Sequence, residues 1–110
     1  MPEIHPDIVA QVILLAREAE DSGSSTARAE LSAFIAGLTE DDALALVAIA
    51  WIGRESFAPE EWDEALSTAR DEARSPTESY LAGLPQLAGY LEDGLEALGI
   101  SAGEAEEDLM

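Results

Sequence analysis

Apolar residues recur along this chain with the three- and four-residue spacing of one face of an α-helix. A first amphipathic segment begins at Pro6 and has its apolar positions at Ile8, Val9, Val12, Ile13, Leu15, Ala16 and Ala19. After a polar break at Asp21–Ser25, a second segment has its apolar positions at Leu31, Phe34, Ile35 and Leu38. The alternation of apolar and polar residues that is typical of a half-buried strand is nowhere sustained. The pattern therefore predicts helices rather than strands.

The most apolar stretch runs from Ala43 to Ile52 and has no polar face. Thr39 is its predicted N-cap, and the acidic residues Glu40–Asp42 complete a variant of the capping box. A helix that is apolar all round packs against neighbours on several sides. We therefore predict an all-α fold, a single compact bundle of five or six helices around a buried central helix at about residues 40–53.

Prolines divide the second half of the chain into shorter segments. Pro59 is expected to open a helix, since proline fits the first helical turn, and Pro85 is expected to end or kink one. Gly99 is a predicted C-cap for the last helix. Residues 1–100 are thus predicted to form one helical domain, followed by an acidic, flexible tail at residues 101–110.

Net charge narrows the range of functions. The chain has 24 Asp and Glu residues against five arginines and no lysine, which gives a formal net charge of -19. Proteins bind nucleic acids and anionic membranes through Lys and Arg, so this composition excludes direct binding to either. The chain has no cysteine, no signal-peptide pattern and no apolar run long enough to span a bilayer. We therefore expect a cytoplasmic protein.

Paired carboxylates are the only candidate catalytic groups. Glu61 and Glu64 would lie on one face of a helix, as would Asp93 and Glu96. Two such pairs on facing helices could hold Mg²⁺ in an all-α nucleotide pyrophosphohydrolase. However, a chain this acidic contains such pairs by chance, and the single histidine, His5, has no catalytic partner. We therefore predict no catalytic residue, no metal and no cofactor, with these four carboxylates as the remaining candidates.

Several residues near helix ends have both a structural and a functional interpretation. Arg54 would interact with the carbonyl groups that end the central helix, and Gly53 would let the chain turn. Alternatively, Arg54 beside Trp51 could bind a carboxylate or a phosphate. Gly89 and Gly94 lie inside a predicted helix, where glycine is unfavourable. Their presence indicates the close approach of a second helix or, alternatively, of a ligand.

Four groups of residues resemble a known family. They are Leu31-x-x-Phe34-Ile35-x-x-Leu38, Leu46-Val47-Ala48-x-x-Trp51-Ile52-Gly53-Arg54, Trp62-x-x-Ala65, and Tyr80-Leu81-x-Gly83-x-Pro85 through Tyr90-Leu91-Glu92-x-Gly94. Over about residues 31–99 the chain resembles the uncharacterised bacterial domain-of-unknown-function family 3775. The resemblance implies a small helical domain with no established activity or substrate. It marks a candidate binding or structural motif that consists of Trp51, Gly53, Arg54, Trp62, Tyr80, Gly83, Pro85 and Gly94.

Three functions are compatible with these features. The first is a non-enzymatic interaction or regulatory domain with an unidentified protein partner. The second is the Mg²⁺-dependent hydrolase, and the third is an acidic mimic of nucleic acid that inhibits a DNA-binding protein. Mimicry requires the acidic segments Glu60–Glu64, Asp71–Glu72 and Glu92–Glu96 to lie on one side of the molecule. A homo-oligomer is compatible with all three functions. The high negative charge is also compatible with adaptation to a salty cytoplasm, which implies no particular function.

Overall fold

The computed structural model describes residues 6–23, 25–72 and 76–99. These residues form six α-helices and a short 3-10 turn at Pro59–Glu61, and they include no strand. The helices are α1 (Pro6–Ser22), α2 (Ser25–Ala36), α3 (Glu40–Gly53), α4 (Trp62–Glu72), α5 (Thr77–Ala82) and α6 (Leu87–Ala97). The predicted all-α bundle is therefore confirmed. The predicted tail at residues 101–110 lies outside the described residues, as does His5.

Helix α3 is the central element of the bundle, as predicted. Every residue from Ala43 to Ile52 is buried, and the helix packs against α4, α5 and α6. Five helices close a circuit of contacts, in which α6 packs on α1, α1 on α2, α2 on α5, and α5 and α6 on α3. Helix α4 packs on α3 from outside this circuit. An all-apolar helix is stable here because neighbours remove each of its faces from water.

The start of α3 is fixed by its predicted cap. The Thr39 hydroxyl accepts a hydrogen bond from the backbone N–H of Asp42 at 3.1 Å. The three acidic residues Glu40–Asp42 occupy the first turn, where the positive end of the helix dipole favours negative charge. A capped first turn and an apolar interior therefore both favour a helix, although alternating alanines could resemble a strand.

Glycine at two positions sets the spacing between α3 and α6. A Cβ added at Gly53 would clash with the backbone carbonyl of Tyr90 and lie 2.8 Å from the backbone nitrogen of Gly94. A Cβ added at Gly94 would clash with the carbonyl of Ile49. The close helix approach predicted at Gly94 is therefore present. At Gly89 it is not, because a Cβ there would meet no atom within 4 Å.

The turn after α3 also differs from the prediction. The residue with a left-handed backbone is Glu55, at φ 69°, and not Gly53. Gly53 is the last residue of α3, and its glycine is required by the backbone of α6 rather than by the turn. Pro59 opens a helical segment as predicted, because it is the first residue of the 3-10 turn that runs directly into α4. The other predicted proline boundary is shifted, because α5 already ends at Ala82, before Pro85 is reached.

Among the described residues, no helix is both long enough and apolar enough to cross a membrane.

Candidate functional site

A cleft of about 150 Å³ lies between α1, α2 and the connection from α5 to α6. Glu20 and Arg28 line it from α1 and α2, and Ala82 and Gly83 line it from the end of α5. The rest of its wall is apolar and consists of Ala16, Ala19, Leu31, Leu84, Pro85 and Leu87. Concave, mostly apolar surfaces with a few charged groups are typical of ligand sites.

The cleft exists because small residues of α1 face a tight chain reversal. Ala16 and Ala19 line the cleft from α1 with short side chains, and Ala16 is buried. That connection contains Gln86 with a left-handed backbone, at φ 61°, an uncommon conformation for a residue other than glycine. The reversal brings Leu84 and Leu87 onto the same wall. The cleft is therefore a product of tertiary packing rather than of one sequence segment.

Glu20 is held in place by the start of α6. Its Oε2 accepts a hydrogen bond from the backbone N–H of Ala88 at 3.1 Å. Gln86, the N-cap residue of α6, makes no side-chain capping bond, so a carboxylate from α1 supplies one instead. Negative charge is favourable at this end of a helix. One oxygen of Glu20 is thus engaged, and Oε1 has no hydrogen bond to a described residue.

Arg28 differs from Arg17 and Arg70, which form ion pairs, and from Arg54, which donates to the Ser56 hydroxyl. Arg17 pairs with Glu92, and Arg70 pairs with Asp41 at 3.3 Å. Arg28 is exposed at the cleft and forms no ion pair with a carboxylate within the described part of the chain. Although Glu20 lines the same cleft, none of its carboxylate oxygens lies within 4.0 Å of an Arg28 nitrogen, so the two side chains do not form an ion pair. The cleft therefore has two opposite charges that do not neutralise each other.

The predicted corner at the end of α3 is a compact aromatic contact. Trp51 Nε1–H donates a hydrogen bond to the Tyr80 hydroxyl at 3.0 Å, which ties α3 to α5. The indole also stacks on the Phe57 ring, with centroids 5.9 Å apart. Arg54 ends α3 through its backbone N–H, and its Nε donates to the Ser56 hydroxyl at 3.0 Å. These contacts support a structural role for these residues at the end of α3, rather than the binding of a carboxylate or a phosphate by Arg54.

We expect Tyr80→Phe to lower the free energy of unfolding by about 1 kcal/mol, because the part-buried indole N–H of Trp51 would lose its acceptor. Urea denaturation followed by circular dichroism measures this change, and the NMR resonance of the indole N–H should shift. Tyr90→Phe is the matched control, since no hydrogen bond from its hydroxyl to a described residue is present. Equal effects of the two substitutions would contradict the stabilising role of the Trp51–Tyr80 bond.

The remaining residues of the predicted motif lie in three different places. Gly53 and Gly94 form the contact between α3 and α6, and Trp62 is buried on α4. Gly83 and Pro85 line the cleft. The structure thus brings Trp51 together with Tyr80, and Gly53 with Gly94, but it does not gather the whole motif into one site.

Glu20 and Arg28 were absent from the predicted site residues. Two signals were available in the sequence. The first is that arginine is scarce in this chain and Arg28 is one of only five. The spacing of Ala16 and Ala19 also leaves a small-residue stripe on α1. Neither signal indicates which distant segment completes the cleft.

The carboxylate candidates for a metal site do not come together. Glu61 ends the 3-10 turn, Glu64 lies in the first turn of α4, and Asp93 and Glu96 lie on α6. All four are exposed. Glu61 instead accepts a hydrogen bond from the backbone N–H of Ala58 at 2.7 Å. Within residues 6–23, 25–72 and 76–99, no group of three or more His, Cys, Asp or Glu side chains is arranged to hold a metal ion.

The three acidic segments considered for mimicry lie on different helices. Glu60–Glu64 and Asp71–Glu72 belong to the 3-10 turn and α4, and Arg70 links them to Asp41 at the start of α3. Glu92 lies on α6 and pairs with Arg17 of α1. Two segments therefore lie on the 3-10 turn and α4, outside the contact circuit, whereas the third lies on α6, which is part of it.

Comparison with known proteins identifies one family. The model of the family described as "Protein of unknown function (DUF3775)" matches residues 28–100. No curated protein and no solved structure matches the chain. The matched region includes Arg28 and the whole α5–α6 connection, whereas α1 precedes it. Because the match spans more than half of the sequence, the chain belongs to the DUF3775 family.

Proposed function

We propose that the protein is a non-enzymatic regulatory or interaction domain that binds a ligand in the cleft between α1, α2 and the α5–α6 connection. One observation supports this function over the hydrolase and the nucleic-acid mimic. An apolar wall meets two charged side chains, Glu20 and Arg28, that are not paired with each other. A ligand in the cleft gains apolar burial and ionic contacts without displacing an existing ion pair.

The position of the cleft suggests what binding does. Its walls come from α1 on one side and from α2 and the α5–α6 connection on the other. A ligand that contacts both sides holds α1 against the family-matched region and stabilises the folded state by RT ln(1 + [L]/Kd). Ligand binding therefore stabilises the packing of α1 on the rest of the domain. In this way it can regulate a surface that includes α1 and that a protein partner binds.

Filling the cleft tests this function. We expect Ala19→Leu to abolish the binding of 3-methylbutan-1-ol, a neutral aliphatic probe, because the new side chain would occupy the apolar space. In the unaltered protein, the probe should shift the backbone amide NMR signals of Ala16–Glu20 and Ala82–Ala88 with saturation. Ala33→Leu, an exposed change on α2 outside the cleft, is the matched control and should preserve these shifts.

The hydrolase alternative gives a different result in two assays. Under the proposed function, Mg²⁺ with a nucleotide raises the melting temperature no more than monovalent salt of equal ionic strength, because only screening operates. Hydrolysis of a nucleoside triphosphate that is lost in Glu61→Gln or Asp93→Asn would contradict a non-enzymatic role. Absence of saturable shifts in the cleft with any small probe would contradict the ligand site.

The cellular setting belongs to the same proposal. We propose that residues 1–100 act as one domain in the bacterial cytoplasm. The lack of cysteine supports a reducing compartment, and the resemblance to a bacterial family supports the source. A net charge of -19 disfavours nucleic acid as a direct ligand and leaves a protein or a small molecule as the partner.

A further inference from the structure

We infer that the ligand of the cleft is a free zwitterionic amino acid with an aliphatic side chain of about the size of leucine. This inference rests on the proposed function, because it assigns a ligand class to the same cleft. Three properties carry it, namely the pair of opposite charges, the apolar wall, and the charge of the whole chain.

The two charged side chains match the two charged groups of a free amino acid. Glu20 lines the cleft with its Oε2 bound to the backbone N–H of Ala88, which leaves Oε1 to accept from an ammonium group. Arg28 can donate two parallel hydrogen bonds to a carboxylate. No guanidinium nitrogen of Arg28 lies within 4.0 Å of a carboxylate oxygen of Glu20, so the two side chains form no ion pair with each other. A ligand that carries both charges can therefore bridge them.

The apolar wall matches an aliphatic side chain. Its accessible apolar surface comes from Ala19, Ala82, Leu84 and Pro85, whereas Ala16, Leu31 and Leu87 are buried in the core. The volume of about 150 Å³ is comparable to that of an engineered apolar cavity that holds benzene, although this cleft is open to solvent on one side. The four carbons of a leucine side chain are smaller than benzene, so they fit inside while the ammonium and carboxylate groups remain at the charged rim.

The charge of the whole chain favours a zwitterion over a simple ion. A net charge of -19 repels an anionic ligand at long range, although Arg28 attracts it locally. A cationic ligand is attracted at long range but would meet Arg28 in the cleft. A neutral zwitterion avoids the long-range repulsion and pairs with both side chains.

The test is a titration of the full chain with four probes, followed by NMR and calorimetry at about 0.15 M salt, where the screening length is about 8 Å. The probes are L-leucine, 4-methylpentanoate, which lacks the ammonium group, 3-methylbutan-1-amine, which lacks the carboxylate, and the neutral 3-methylbutan-1-ol. We expect L-leucine to bind with a Kd of about 1 mM, and about fivefold or more tightly than each other probe.

Two variants assign the charges individually. We expect Arg28→Gln to weaken L-leucine about fivefold without weakening the amine, which lacks the group that Arg28 binds. Glu20→Gln keeps an acceptor oxygen for the N–H of Ala88 and should weaken L-leucine similarly, without weakening 4-methylpentanoate. Arg70→Gln, which removes an arginine outside the cleft, is the matched control. Circular dichroism shows whether each variant is folded.

The outcomes separate the inference from the proposed function. If the alcohol binds in the cleft as tightly as L-leucine, the inference that the cleft recognises a zwitterion is wrong, whereas the proposal that the cleft is a ligand site is supported. The same conclusion follows if Arg28→Gln and Glu20→Gln, both folded, bind L-leucine like the unaltered protein. If none of the four probes shifts the amide signals of Ala16–Glu20 and Ala82–Ala88, both proposals are wrong.

Discussion

Gly94→Ala should lower the free energy of unfolding by about 3 kcal/mol or more. The added Cβ would clash with the backbone carbonyl of Ile49 and lie 2.8 Å from its Cγ2 atom. A backbone carbonyl within a helix cannot move aside as the end of a flexible side chain can. Helices α3 and α6 must therefore separate, and the loss of their packing exceeds the roughly 1 kcal/mol that alanine gains over glycine in a helix. Urea denaturation followed by circular dichroism measures the change.

Gly89→Ala is the matched control, because it is the same substitution in the same helix. A Cβ at Gly89 would meet nothing within 4 Å, so we expect the free energy of unfolding to rise by up to about 1 kcal/mol. Gly53→Ala, on the facing helix, should destabilise the protein as Gly94→Ala does. Loss of stability at Gly89 equal to that at Gly94 would contradict the assignment of the close contact to Gly53 and Gly94.

The second large effect is expected for Leu46→Ala, which should lower the free energy of unfolding by about 3 kcal/mol. Leu46 lies in the middle of α3, and none of its surface is exposed. Neighbouring helices on several sides of α3 restrict the collapse of structure into the new cavity, so the cost includes both lost burial and an unfilled volume. The midpoint of urea denaturation reports the loss.

Leu14→Ala provides the comparison for this prediction. Leu14 lies on α1 and is 48% exposed, so truncating it removes little buried surface. We expect the free energy of unfolding to fall by less than about 1 kcal/mol. If Leu14→Ala and Leu46→Ala proved equally costly, the burial of α3 at the centre of the bundle would be contradicted.

Those parts of the fold that depend on local pattern were predictable from the sequence. The Ala43–Ile52 segment identified the central helix, because a helix without a polar face has only a buried position available to it. Thr39 identified its first turn. Gly53 shows the limit of this reasoning, since a glycine near a helix end suits a turn as well as a close contact. The sequence near Gly53 contains nothing that distinguishes these two roles.

The candidate site was not predictable in the same way. Glu20 and Ala88, which share a hydrogen bond, are 68 residues apart in the sequence. A cleft is a space left between elements, and its existence depends on how α1 docks against the α5–α6 connection rather than on the pattern within either segment. Gly83 and Pro85 were recognised as part of a motif, but the opposite wall, with Ala16 and Ala19, had no signal that linked it to them.

The boundary of the family match does not coincide with the boundary of the packed core. The match begins at Arg28, yet Val9 and Val12 of α1 are completely buried in the core, and α1 packs on both α2 and α6. The region that the family model matches is therefore smaller than the set of helices that pack together in this chain. A segment limited to residues 28–100 would expose the apolar faces of α2 and α6 that α1 covers in the whole chain.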